Sequence, residues 1–254
     1  MSGLEELLGG CGLCGLLSGG ITAQPVVPVK VSDEDYNSTR VQHYAIRNRE
    51  KYERLKAKLL EELENITIPR IPKPAPKGDP HTNRGNVIGT IGRTITFGFG
   101  DNRRGWNFYS SNKQYPEVFK ALVEFGNAVV PKGWDYQGIT VNHGVKAKKH
   151  KDKKNIGESV IVGLGDYTGG DLTIWDGNDK NPKDYDIKGK PALFNGGNLY
   201  HQTRPFKGNR YTIVFYKQSK KPARGEVGIG KGMGDMEGGA MSQPEFPEEG
   251  AVFG

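Results

Sequence analysis

From about residue 91 to residue 216 the chain is a succession of short β-branched and aromatic runs, each closed by Gly or Asn. Thr94-Ile95-Thr96-Phe97, Ile139-Thr140-Val141, Ser159-Val160-Ile161-Val162, Asp171-Leu172-Thr173-Ile174-Trp175, Ala192-Leu193-Phe194 and Tyr211 to Tyr216 all have this texture. Runs this short between turn residues form half-buried strands, not helices. One helix interrupts them, Tyr115 to Phe125, with Val118, Leu122 and Phe125 on one face. Many short strands flanked by helices predict a mainly β fold of jelly-roll or small-barrel type.

The flanks differ. Residues 1–37 mix Gly, Leu and Cys without a positive start, which makes a poor signal peptide, and are expected to form a flexible arm in an intracellular protein. Cys11 and Cys14 are the only cysteines, so a disulfide-built scaffold is excluded, and a single CxxC is weak evidence for zinc. Residues 38–79 are read as an amphipathic helix with Val41, Ala45, Tyr52, Leu55, Leu59 and Leu63 at three-to-four spacing, followed by a Pro-rich linker. The helix is expected to brace the sheet. The main domain then runs over residues 80–218, and residues 219–254 read as a disordered, Gly-rich acidic tail. No apolar run reaches 18 residues, so no membrane-spanning helix is expected.

Charge is divided unevenly. The chain carries 36 Lys+Arg against 29 Asp+Glu, a net of +7. Residues 224–254 hold two basic and six acidic residues, so residues 1–223 carry +11. A basic body suits a polyanionic partner such as nucleic acid, and a merely soluble basic protein equally well.

Chemistry concentrates around His150-Lys151-Asp152. Residues i and i+2 of an extended strand share a face, so His150 and Asp152 can reach one metal ion. His201 follows 49 residues after Asp152, beyond the turn-like Asn195-Gly196-Gly197-Asn198. Two His and one carboxylate are the ligand set of mononuclear non-haem Fe(II) sites. Nine residues later Arg210 opens the strand Arg210 to Tyr216, with Thr212 on the same face, and a guanidinium fork beside a hydroxyl suits a carboxylate. His143 has the opposite parity to His150 and is expected to pack or lie exposed. Arg204 is a rival to Arg210, but lies in a turn before Pro205.

HxD, a gap of about fifty residues, His, then Arg-x-Thr resembles the Fe(II)/2-oxoglutarate-dependent dioxygenases. Tyr167-Thr168-Gly169-Gly170-Asp171-Leu172 is similar to the YxGGxL turn of many of them. The resemblance covers roughly Tyr136 to Lys217. It implies a double-stranded β-helix, with His150, Asp152 and His201 as catalytic iron ligands and Fe(II), 2-oxoglutarate and O₂ as cofactor and co-substrates. Arg210 and Thr212 would hold the 2-oxoglutarate carboxylate. Asn142, eight residues before His150, would turn inward beside it unless Gly144 bulges the strand. Tyr136 and Tyr200 are alternatives.

His150 to Ser159 further resembles the HxDxxN stretch of the ten-eleven-translocation and J-binding-protein branch, which oxidises methyl groups on DNA pyrimidines. By that likeness Asn155 meets the substrate. Lys146, Lys148, Lys149, Lys151, Lys153 and Lys154 crowd the same segment, and Lys148 and Lys151 are expected to draw in a phosphate backbone. Trp106, Phe108, Tyr109 and Trp134 are candidates for stacking on an extruded base. A methylated nucleic-acid base is thus the leading substrate. A prolyl-type protein hydroxylase, whose members usually present Lys where Arg210 stands, and a non-catalytic cupin-like binding barrel are the alternatives.

Overall fold

The computed structural model describes residues 38–43, 45–46, 48–71, 90–102, 105–218, 229–231 and 236–237. The Cys11/Cys14 segment, His81 and most of the Pro-rich linker lie outside them, as does the side chain of Trp106. In chain order the elements are β1 (Val41–His43), β2 (Ala45–Ile46), α1 (Arg49–Glu64), β3 (Ile91–Asn102), β4 (Gly105–Phe108), α2 (Ser111–Gln114) and α3 (Pro116–Val129). There follow β5 (Asp135–Tyr136), β6 (Gly138–Lys146), β7 (Ser159–Leu164), β8 (Tyr167–Gly169), β9 (Leu172–Ile174), β10 (Lys183–Tyr185) and β11 (Ala192–Phe194). The last are β12 (His201–Thr203), β13 (Phe206–Gly208), β14 (Tyr211–Tyr216), β15 (Gly230–Lys231) and β16 (Met236–Glu237).

Seven strands form one antiparallel sheet in the order β1-β11-β7-β14-β6-β3-β4. A smaller sheet, β10-β9-β12, is continued by an antiparallel bridge from His201 to His150. Between β6 and β14 the chain alternates between the two sheets, so that neighbours in space are distant in sequence. This is the expected jelly-roll, a double-stranded β-helix.

Strand alternation divides the core in two. Ile139, Val141, Val160, Val162, Ile213 and Phe215 point to the outer face of the large sheet, where they meet Tyr52, Leu59 and Leu63 of α1 and Leu122 and Phe125 of α3. On the inner face Ile161, Phe194 and Val214 meet Leu172, Ile174 and Leu199 from the smaller sheet. The helix therefore braces the sheet, as expected. Among the described residues no helix is long and apolar enough to cross a membrane.

Two sequence expectations are corrected. The helix does not begin at Ser38: Val41–His43 is a strand paired with Phe194–Ala192 at the edge of the large sheet. Asn48 is the reason, because its Oδ1 accepts from Lys51 N (2.9 Å) and caps the helix there. Val41 and Ala45 fit a helical spacing that the cap interrupts. The segment after residue 218 is not wholly without structure either. Gly230–Lys231 pairs with β5 and Met236–Glu237 with β2. A Cβ at Gly230 would fall 2.1 Å from the Tyr136 ring, so a residue without a side chain lets this strand close over the core, where Ile229 also packs.

Leu59 is fully buried between α1 and the sheet, whereas Arg54 on the same helix is exposed. Leu59→Ala should lower the unfolding free energy by about 2–5 kcal/mol through lost contacts and a cavity. Arg54→Ala should change it by less than about 0.5 kcal/mol. Urea midpoints of the two variants check this.

Candidate metal centre

The inner ends of two strands meet at the centre. His150 N donates to His201 O (3.0 Å) and His201 N to His150 O (2.9 Å), so the two residues face each other in an antiparallel bridge. Their rings are 4.2 Å apart between centroids. Asp152 N donates to Gly196 O (2.8 Å), which ties the carboxylate-bearing residue to the turn preceding His201. The carboxylate lies between both rings, with Oδ1 3.5 Å from His150 Nε2 and Oδ2 3.6 Å from His201 Nε2. One ligand atom from each of the three lies within 4.8 Å of the others.

Tautomers are set by the backbone. His150 Nδ1 lies 2.7 Å from Lys148 O and His201 Nδ1 3.0 Å from Leu199 O. A carbonyl only accepts, so each Nδ1 carries hydrogen and each neutral ring presents its Nε2 lone pair toward Asp152. Such outer hydrogen bonds orient imidazoles that bind metal. Two imidazoles and one carboxylate leave the remaining octahedral positions open, which is the donor set and geometry of non-haem Fe(II) sites. The residues fit that metal.

Beside the trio, β6 and β14 turn a row of polar side chains inward. Asn142 and Thr212 are direct cross-strand partners, joined from Asn142 Nδ2 to Thr212 Oγ1 (3.3 Å), and Thr94 Oγ1 donates to Asn142 Oδ1 (3.0 Å). Gly144 adopts φ +62°, and the β3–β6 register shifts opposite it, yet Asn142 stays inward. Arg210, on the same face as Thr212, is only 2% exposed. Its Nη2 donates to Gly170 O (2.8 Å), and the guanidinium lies over the Phe206 and Tyr167 rings at 5.1 and 5.4 Å. Its Nε has no hydrogen-bond partner. No carboxylate pairs with it among the described residues. Gly170 sits at φ +78°, and a Cβ there would fall 2.7 Å from Arg210 Nε, so the Gly169-Gly170 turn is built around the guanidinium.

The remaining candidates are distributed as follows. Asn155 N donates to Asp152 O (2.8 Å) and its Nδ2 reaches Ser159 Oγ at 3.5 Å, closing the turn after Asp152. Lys148 holds His150 through its carbonyl while its side chain is exposed. Lys151 pairs with Asp179 (3.3 Å) and lies over the Tyr200 ring. His143 stacks on Tyr211 and contacts Asn209, away from the trio, as its parity predicted. Tyr136 is buried in the outer core and Trp134 stacks on it. Arg204 is exposed and pairs with Asp184 (3.3 Å). Phe108 is 42% exposed against Phe99.

Sequence reasoning missed Thr140 and Tyr216. Both lie on the inward face, joined from Thr140 Oγ1 to Tyr216 Oη (3.4 Å), and Tyr216 is near enough to Asp152 and Tyr109 to feel both electrostatically. Counting in twos back from Asn142 and on from Thr212 would have found them.

Burial alone would lower the His150 imidazole and raise the Asp152 carboxyl. Their hydrogen bond and charge attraction outweigh it, keeping His150 above the ordinary histidine value and Asp152 well below the carboxylate range. In the metal-free chain the raised His150 therefore adds stability below about pH 6.5 that is lost as pH rises through its folded value. The depressed Asp152 adds stability above about pH 4 that is lost as pH falls. The trio thus stabilises the metal-free fold most between these limits. Asp152→Asn should remove that maximum from a plot of urea midpoint against pH. It should also bring His150 down, as read by NMR titration, because the burial that lowers it is then opposed only by the backbone hydrogen bonds to Lys148 and His201.

No protein-family model matches the chain, and no curated protein matches it. Among solved structures it is similar to NgTET1 in complex with 5mC DNA, at 13% identity over 69% of this chain and 71% of that one, TM-score 0.45. It is similar to a Pseudomonas putida prolyl-4-hydroxylase at 12% identity over 74% of this chain and 97% of that one, TM-score 0.41. The prolyl hydroxylase of Trichoplax adhaerens, solved with a hypoxia inducible factor peptide fragment, is 14% identical over 72% of this chain and 86% of that one, TM-score 0.42. With identities this low and TM-scores under 0.5, a functional reading of the chain rests on its own residues.

Proposed function

We propose that the chain is an Fe(II)- and 2-oxoglutarate-dependent dioxygenase that oxidises a C–H bond on a methylated nucleic-acid base. The observation that carries the first part is a pairing of two sites on one inward surface. A two-His, one-carboxylate trio stands beside a buried arginine that lacks a carboxylate partner among the described residues. A buried guanidinium that has no carboxylate in contact, only the longer-range attraction of Asp171, is costly, and a bound carboxylate offsets that cost. Arg210 supplies the fork for that carboxylate, Thr212 a hydroxyl, and Asn142 an amide already oriented by Thr94.

Iron(II) and 2-oxoglutarate, when bound, supply the oxidising chemistry, with O₂ consumed and succinate and CO₂ released. The protein's part is orientation. His150 and His201 offer Nε2, the lysine and leucine carbonyls hold their rings, and Asp152 supplies the compensating negative charge. Thr140, Tyr216 and Tyr109 line the same face and would position what approaches the metal. For the substrate, the support is the net charge of +7 and six lysines within residues 146–154. Asn155, Lys148 and Lys151 are the residues proposed to meet it.

Succinate release from 2-oxoglutarate under air with added iron tests the reading. Turnover should be abolished by His201→Ala. Arg210→Ala should raise the 2-oxoglutarate KM by at least about thirtyfold, the usual result of removing one member of a buried charge pair. Unchanged turnover in both variants would sink the assignment. Methylated single-stranded DNA should raise turnover. Lack of stimulation would remove the base while leaving the oxidative chemistry.

A further inference from the structure

The strands that turn His150 and His201 inward must turn their neighbours outward, and those neighbours form a second surface. Tyr200, just before β12, and Trp175, just after β9, are opposite one another, with Trp175 N donating to Tyr200 O (2.9 Å). Lys149 Nζ lies 4.4 Å from the centre of the Trp175 ring and 4.8 Å from that of Tyr200, and Lys151 Nζ lies 4.3 Å from Tyr200. Both rings are partly exposed and Lys149 is exposed. Lys151 pairs with Asp179, but Lys148, Lys149 and Lys153 pair with no carboxylate among the described residues. The outer face of the small sheet thus carries two aromatic rings under Lys149, which no carboxylate of the described residues pairs, and Lys151, which Asp179 pairs.

We infer that this outer face is a docking surface for single-stranded nucleic acid, which the proposed enzyme uses to hold the strand flanking its target base. The inference rests on the nucleic-acid reading above and locates where the strand is gripped. Charge complementarity selects a polyanion, because exposed Lys149 stands unpaired over both rings and exposed Lys148 and Lys153 lie close by in sequence. The rings select one with flat, unpaired bases. A phosphate draws a hydrated, flexible lysine off the ring it covers, and the freed indole or phenol face accepts a base. Duplex DNA hides its base faces, and the carboxylate side chains of an acidic peptide have no flat face that would use the rings. Because the patch and the metal ligands alternate along the same two strands, a chain gripped outside has only to pass the sheet edge at residues 147–152 to reach the centre.

The test uses the full-length chain and a fluorescein-labelled ten-nucleotide dT strand, followed by anisotropy over a range of salt. Wild type should bind with an affinity that falls steeply with salt. Trp175→Ala should weaken binding roughly tenfold, and Trp175→Phe should restore most of it. Lys149→Glu should weaken binding and reduce the salt slope by about one or more. Cobalt(II) absorption of each variant confirms that the fold and the inner trio survive. Three results overturn the surface: a Trp175→Ala variant that binds dT as wild type does, an abasic strand that binds as tightly as dT, or a polyglutamate peptide that competes equally well. Succinate formation without any oligonucleotide is measured alongside. If succinate forms but no strand binds, the surface falls and the oxidative chemistry stands. If strands bind with the expected Trp175 dependence but no succinate forms, the surface stands and the enzyme assignment falls.

Discussion

Two backbone hydrogen bonds, His150 N to His201 O and His201 N to His150 O, hold together residues that lie 51 positions apart in the chain. Without them the two imidazoles would belong to separate loops and the carboxylate between them would have nothing to bridge. A side chain on a loop can wander by ångströms, and a metal site tolerates only tenths. The bridge puts both ligands on one sheet. The Nδ1 contacts to Lys148 O and Leu199 O then fix each ring about its own axis. Those acceptors are two residues upstream in each case, so the same local geometry is used twice.

The bridge is held in turn by the fold's connectivity. Because the chain passes back and forth between the sheets, the segment bearing Asp152 is pinned through Asp152 N to Gly196 O on one side and through Ile156 N to Lys217 O on the other. The first contact reaches the turn before β12 and the second the residue after β14, so the carboxylate is positioned from two sides at once. The same connectivity brings β6 against β14, which makes Asn142 and Thr212 direct partners. The Gly169-Gly170 turn completes the arrangement by leaving room for a guanidinium that a Cβ at Gly170 would displace.

Much of this was legible because it depends on a period of two. Strand segments, the inward pairing of Arg210 with Thr212 and the outward parity of His143 all follow from alternation, and an antiparallel sheet enforces it over every residue. The boundary of α1 was misread because Val41 and Ala45 satisfy a helical spacing by accident. Only a capping side chain, Asn48, distinguishes the two readings. The strands beyond residue 218 were missed because composition describes average burial, whereas Gly230 is placed by one close approach to the Tyr136 ring. That kind of contact between residues 94 positions apart leaves no local trace. The orphaned Nε of Arg210 was equally invisible, since an arginine's partners are a property of the packed interior.

Alternation also links the two faces of the small sheet in a way that sequence proximity hides. Six lysines near HxD suggest a rim around the metal, yet Lys149 and Lys151 stand over Trp175 and Tyr200 on the reverse side. A positive charge placed there is separated from the ligands by the thickness of a sheet, so it raises the local concentration of a polyanion without competing for the carboxylates that bind inside. Were the same lysines inward, they would pair with Asp152 or with the carboxylate meant for Arg210, and the centre would be blocked by its own attraction for substrate. A strand with period two separates the two tasks using consecutive residues, which is why a site needing both a cationic approach and an anionic ligand can be built on one short stretch of chain.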